Sequence, residues 1–130
     1  MHEYTVELRI VGPTLDPDEV TAAIKISPTQ IRRKGEQRSN HSVWPDNMWA
    51  FDAKPENGIH WDSLEEGLNS LLMTLGPLKA QLHSYLPAND VFIWCGHFTD
   101  SFDGGPIFSP TQLKSLGDFG VKLILETYSR

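Results

Sequence analysis

The chain has 130 residues, 39% hydrophobic and 10% aromatic, which fits one domain with a real core and excludes wholesale disorder. A net charge of −6 disfavours nucleic acid, whose binding needs clustered Lys and Arg, and suits a soluble protein or a basic partner. One cysteine, Cys95, excludes an intrachain disulfide and fits a reducing compartment.

Residues 1–10 lack the basic start and apolar run of a signal peptide. No stretch approaches the ~20 apolar residues of a membrane helix, so the expected location is cytoplasmic, without membrane contact. Tyr4, Val6, Leu8 and Ile10 alternate with Thr5, Glu7 and Arg9, predicting a half-buried strand that ends at Gly12-Pro13. Asp16-Pro17-Asp18-Glu19 supplies a helix cap, a proline at the first helical position and a carboxylate three residues after the cap. The helix should reach about Lys25 with Leu15, Val20, Ala23 and Ile24 inward. Ser27-Pro28-Thr29-Gln30 repeats the cap signal and predicts one further helical turn.

Residues 32–40 are polar and basic and read as an exposed loop. Residues 42–54 read as a strand with a turn or bulge near Pro45, and 54–58 as a connection. Ser63-Leu64-Glu65-Glu66 then opens the strongest helix. Its apolar stripe is Leu64, Leu68, Leu71, Leu72 and Leu75. Gly76-Pro77 should kink or break it, with Leu78, Leu82, Tyr85 and Leu86 continuing the stripe. Residues 91–98, apolar on both faces, predict a strand covered on both sides, or covered on one and touching a partner on the other. A turn-rich loop follows, with room for a short strand at 106–108. Ser109-Pro110-Thr111-Gln112 caps a helix ending near Gly117 or Gly120, and 121–128 is a last strand. This order, two βαβ units joined by a long helix, predicts an α+β fold over residues 1–130. The expected form is a ferredoxin-like or related sandwich, a mainly antiparallel sheet with helices on one face.

Candidate chemistry is sparse. Cys95 and His97 share one strand face, but a zinc site needs four ligands and this strand is the most apolar, so core packing is expected. His2, His41, His60, His83 and His97 form no helical metal-binding pair, and His60 and Asp62 read as a polar helix entry. Asp100, Asp103 and Gly104-Gly105 lack the alternating carboxylates of a calcium loop. Arg32, Arg33, Lys34 and Arg38 are the only basic cluster and read as a solvated loop. Nucleotide-binding and hydrolase motifs are absent. Of four tryptophans, Trp49 and Trp94 are expected in the core, and at least one of Trp44 and Trp61 partly exposed.

Several features together resemble a family catalogued as domain of unknown function 4279. They are the strand Tyr4–Ile10 with Gly12, Leu15-Asp16-Pro17-Asp18-Glu19-Val20, Ser27-Pro28-Thr29, Arg33-Lys34-Gly35-Glu36, a tryptophan strand, a Leu-rich helix, and a closing helix–strand unit from Ser109 to Tyr128. The likeness covers nearly the whole chain. It implies a stand-alone cytoplasmic domain and, for some members, an immunity role: binding and neutralising a toxin delivered between competing bacteria. It brings no catalytic residues with it.

The expected function is therefore binding without catalysis, cofactor or metal. The expected partner is a protein, a basic toxin domain reached through electrostatic steering. The expected contact residues are Glu65, Glu66, Asp100, Phe102 and Asp103, on a monomer or weak dimer. The alternatives are a self-associating accessory domain, and an enzyme or small-ligand binder with a site around Cys95 and His97.

Overall fold

A computed structural model describes residues 1–56 and 58–130; the connection expected at 54–58 thus contains one position, Asn57, outside the described residues. The elements are β1 (His2–Gly12), α1 (Pro17–Ile24), β2 (Gln30–Arg32), β3 (Gln37–Ser39), β4 (Ser42–Val43), β5 (Asn47–Asp52), α2 (Leu64–Leu75), a 3-10 turn (Gly76–Leu78), α3 (Lys79–His83), β6 (Asp90–Thr99), α4 (Pro110–Phe119) and β7 (Lys122–Ser129). The alternation at 4–11 sorts β1 as predicted: Tyr4, Val6, Leu8 and Ile10 are buried, and their odd-numbered neighbours face the other way.

Five strands form one sheet in the order β2-β5-β1-β6-β7, and β3 and β4 form a separate hairpin. β1 is antiparallel to both β5 and β6; only β6 and β7 run parallel. The α+β class and the mainly antiparallel sheet stand as expected. The ferredoxin-like label is not confirmed. The first strand–helix passage leads from β1 to β2, with β5 lying between them, whereas α4 bridges the adjacent parallel strands β6 and β7.

The even side of β1 meets Trp49 of β5 and Val91, Ile93 and Cys95 of β6. All pack in one cluster with Leu15, Val20 and Ile24 around α1, Leu64, Leu68, Leu71 and Leu75 of α2, Leu82 of α3 and Phe119 of α4. Each fully buried Leu contributes roughly 1.5–3 kcal/mol of transfer free energy. The caps are those of the sequence. Asp16 accepts from the amides of Asp18 and Glu19, Ser63 from Glu66 and Ser109 from Gln112. Buried Trp49 donates its indole N–H to Thr21 of α1 at 3.1 Å, tying helix to sheet.

Several expectations are corrected. Ser27 to Gln30 does not start a helix. The Thr29 amide donates to the Ala50 carbonyl at 2.9 Å, so the chain is recruited as edge strand β2. Within 32–40, Arg32 belongs to β2 and residues 37–39 form the first arm of the hairpin. Ala23 is exposed, because α1 turns only Pro17, Val20 and Ile24 inward. Residues 106–108 pair with no strand. Trp94 is only partly buried, because its position on β6 faces away from the helices, whereas Trp49 is fully buried. Trp44 and Trp61 are both partly exposed, as expected of at least one. Gly76-Pro77 converts the long helix into a 3-10 turn, after which α3 resumes and buries Leu82.

Two helical glycines separate propensity from packing. A Cβ on Gly67 of α2 would lie 2.8 Å from Val6 Cγ2 and 2.9 Å from Trp61 Cδ1, whereas one on Gly117 of α4 would meet nothing within 4 Å. Gly117→Ala is expected to stabilise by roughly 0.5–1 kcal/mol and Gly67→Ala to destabilise by about 1–3 kcal/mol in denaturant unfolding. Equal effects would show that α2 does not press on β1 as described.

Candidate functional site

Of the expected contact residues, Glu65 is tied to the loop that carries Asp100, Phe102 and Asp103. Ser109, the cap of α4, donates to Glu65 of α2 at 2.7 Å, which fastens the end of the 100–108 loop to the first turn of α2. A hollow of about 220 Å³ runs between them, lined by Tyr4, Ser63, Glu65, Gly105 and Ile107. Glu66 faces a different hollow, with His60 and Trp61. Asp100 pairs with the Met1 amino group, which holds its carboxyl below the usual range. Asp103 is exposed, Phe102 is 87% exposed, and Ile107, absent from the expected set, is 82% exposed. The structure thus joins Glu65 to the loop and adds Ile107. It sets Glu66 apart and partly neutralises Asp100.

A chain of imidazoles holds that loop. The Asp103 carbonyl can only accept, so His2 Nε2–H donates to it at 2.8 Å. His2 Nδ1 must then accept from His97 Nε2–H at 2.8 Å, and His97 Nδ1 from the Thr127 hydroxyl at 3.2 Å. The His97 ring lies between those of Tyr4 and His2. Burial, then the neighbouring His2, lowers the His97 pKa. Cys95 on the same face lies in the core, and burial pushes its thiol up to about 12. It is thus a packed apolar group at neutral pH.

The opposite face of the sheet carries no helix. There Phe92, Trp94 and Phe98 of β6 stand beside Glu3, Glu7 and Arg9 of β1 and Lys122, Glu126 and Tyr128 of β7. The dual-faced apolarity of 91–98 thus resolves into helices on one side and the protein's own cations on the other. The Arg9 guanidinium lies 4.2 Å from the Trp94 ring centre, Lys122 Nζ 5.6 Å from Phe92 and Arg130 5.2 Å from Phe98. Glu7 accepts from Arg9 at 3.2 Å, and Glu3 pairs with both His60 and Arg130. Asp52 of β5 is the cross-strand partner of Glu7. One of its oxygens is buried without a partner, and burial followed by the Glu7 charge pushes its pKa up to about 6. The alternation of aromatic with smaller residues in β6 was the signal for this face; cations arriving from β1, β7 and Arg130 left none. At the sheet margin β7 is an edge strand of eight residues, mostly exposed.

The family model described as Domain of unknown function (DUF4279) matches residues 2–130. No curated protein and no solved structure matches the chain. No helix of the described residues is long and apolar enough to cross a membrane.

Two pH effects follow. The folded state favours neutral His97, so its contribution is complete above the ordinary value of 6.5 and is lost as pH falls below it. Amide protection factors in residues 100–108, corrected for the intrinsic pH dependence of exchange, should fall as pH drops from 7 toward 5 (roughly, the His range), and His2→Phe should abolish that step. An unchanged profile in the variant would remove the imidazole chain as the holder of the loop. Asp52 has the opposite sign. Its raised value makes ionisation costly to the fold, so stability falls as pH rises from 3.8 through about 6. Asp52→Asn should stabilise at neutral pH by about 1 kcal/mol, discounted because the residue is only partly buried, with the gain vanishing near pH 4 (roughly, the unperturbed Asp value).

Proposed function

The chain belongs to the DUF4279 family, whose description names no activity, and we propose from its surface that it is a protein-binding domain acting through the 100–108 loop and the start of α2. The observation carrying this reading is Phe102 and Ile107, 87% and 82% exposed on one fastened loop beside the carboxylates of Glu65 and Asp103. Large apolar side chains held in water on an ordered loop are a cost to the isolated protein that a partner removes.

Charge supports a basic partner. The five cations that lie over rings (Arg9, Arg32, Arg38, Lys122 and Arg130) share the sheet side with Glu3, Glu7, Asp52, Asp90 and Glu126. The net charge of −6, with Glu65 and Asp103 at the loop, would steer a basic surface toward it. An immunity role, a tight complex that neutralises a toxin domain, is the specific form we propose for this binding. It needs a rigid scaffold and no reaction centre. A second reading, self-association, draws on the exposed eight-residue edge β7.

The test is capture of a partner from lysate of the native host by wild type and by Phe102→Glu/Ile107→Glu, at low and high salt. One stoichiometric, basic partner, held at least about tenfold more weakly by the variant and by raised salt, is the expected outcome. Equal capture by both proteins would move the contact elsewhere. A concentration-dependent dimer in sedimentation, abolished by Leu125→Pro in β7, would favour self-association instead.

A further inference from the structure

The basic cluster Arg32, Arg33, Lys34 and Arg38 does not behave as one solvated loop. Arg33 leaves it to pair with Asp18 of α1 at 3.1 Å. Arg32 and Arg38 converge instead on Trp44, their guanidinium carbons 3.9 and 4.8 Å from its ring centre. Among the described residues neither belongs to an ion pair, although the chain has 17 carboxylates. Arg32 is half-buried and its Nε is buried without an acceptor; burial, then repulsion from Arg9 and Arg38, lowers its pKa against the opposing pull of Glu7. A partly desolvated guanidinium without an ion-pair partner is costly, and an anion in contact with it relieves that cost.

A hollow is present where that anion would sit. It measures about 190 Å³ and is lined by Arg32, Arg38, Trp44, Asp46, Met48 and Val11, with mainly apolar walls. We infer that this hollow, between the β3–β4 hairpin and the sheet edge, binds a small organic monocarboxylate. Its size is that of roughly six water molecules, too small for a nucleotide and enough for one flat ring or short branched chain. Two guanidiniums against the Asp46 carboxylate leave a single net positive charge in the lining, which matches one carboxylate and opposes a polyphosphate. The Arg32 Nε is closed off, so its terminal nitrogens and those of Arg38 would grip the carboxylate. Trp44, Met48 and Val11 would cover the apolar body. This site is separate from the 100–108 loop and does not depend on the protein-binding reading.

The experiment is an NMR titration of the full chain with sodium benzoate, benzamide and inorganic phosphate, read at the arginine Nε–H and the Trp44 indole N–H signals. Benzoate should saturate with a Kd on the order of 1 mM, and benzamide and phosphate should bind at least about tenfold more weakly. Arg38 is exposed, so Arg38→Met spares the fold and should weaken benzoate about tenfold, while Asp46→Asn should tighten it about threefold. Absence of saturation by benzoate overturns the inference. So does equal binding of benzamide, which reduces the hollow to an apolar dimple, or of phosphate, which reduces it to a general anion sink. Unchanged benzoate binding by Arg38→Met overturns it as well.

Discussion

Central strand β1 is hydrogen-bonded on both sides, to β5 and to β6, and so imposes its two-residue period on the whole sheet. Because its even positions are Tyr4, Val6, Leu8 and Ile10, the helices can cover only one side. A slip of one residue would carry Glu7 and Arg9 into the core, at a cost of several kcal/mol for each unpaired charge. The amphipathic helices α1, α2 and α4 and the short α3 all answer to that face, and Trp49 with Thr21 shows how closely they are matched to it.

The same constraint creates the less usual half of the molecule. Strand β6 brings Phe92, Trp94 and Phe98 to the side without helices, and water alone would be a poor cover for three rings. Arg9, Lys122 and Arg130 supply that cover, with their charged ends over the rings. Each such contact is worth ~0.5–1 kcal/mol at an exposed site. The arrangement matches these three rings with three cations, while Asp52 beside Glu7 keeps one oxygen without a partner. At the margin near β2, Arg32 and Arg38 share Trp44 and, among the described residues, form no ion pair.

These two surfaces differ in how far the chain covers its own apolar groups. The loop end presents apolar side chains that nothing in the chain covers, beside acidic groups, and the loop is fastened by Glu65 and by the His2–His97 relay. The sheet side is self-covered and locally charge-matched. A fastened loop suits recognition, because little ordering entropy remains to be lost when a partner arrives. The relay also ties the loop's hold on the sheet to His97, whose neutral form burial favours.

Local signals in the sequence determined most elements. The alternation of β1, the caps Asp16, Ser63 and Ser109, the leucine stripe of α2 and the apolar run of β6 each rest on neighbours within a few residues. They failed where a distant partner competed. Ser27-Pro28-Thr29-Gln30 reads as a cap, yet β5 offers its backbone and makes it a strand edge. Strand order, the side on which Trp94 falls, and the pairing of His2 with His97 across 95 residues had no local trace. Of the exposed apolar pair on the loop, Phe102 was legible as a contact residue from its place in a polar loop, whereas Ile107 had no signal at all. The meeting of Arg32, Arg38 and Trp44 also belongs to tertiary structure alone. It requires β2 to pair with β5 and the hairpin to fold back over that edge, and no periodicity in the chain encodes where a hairpin lands.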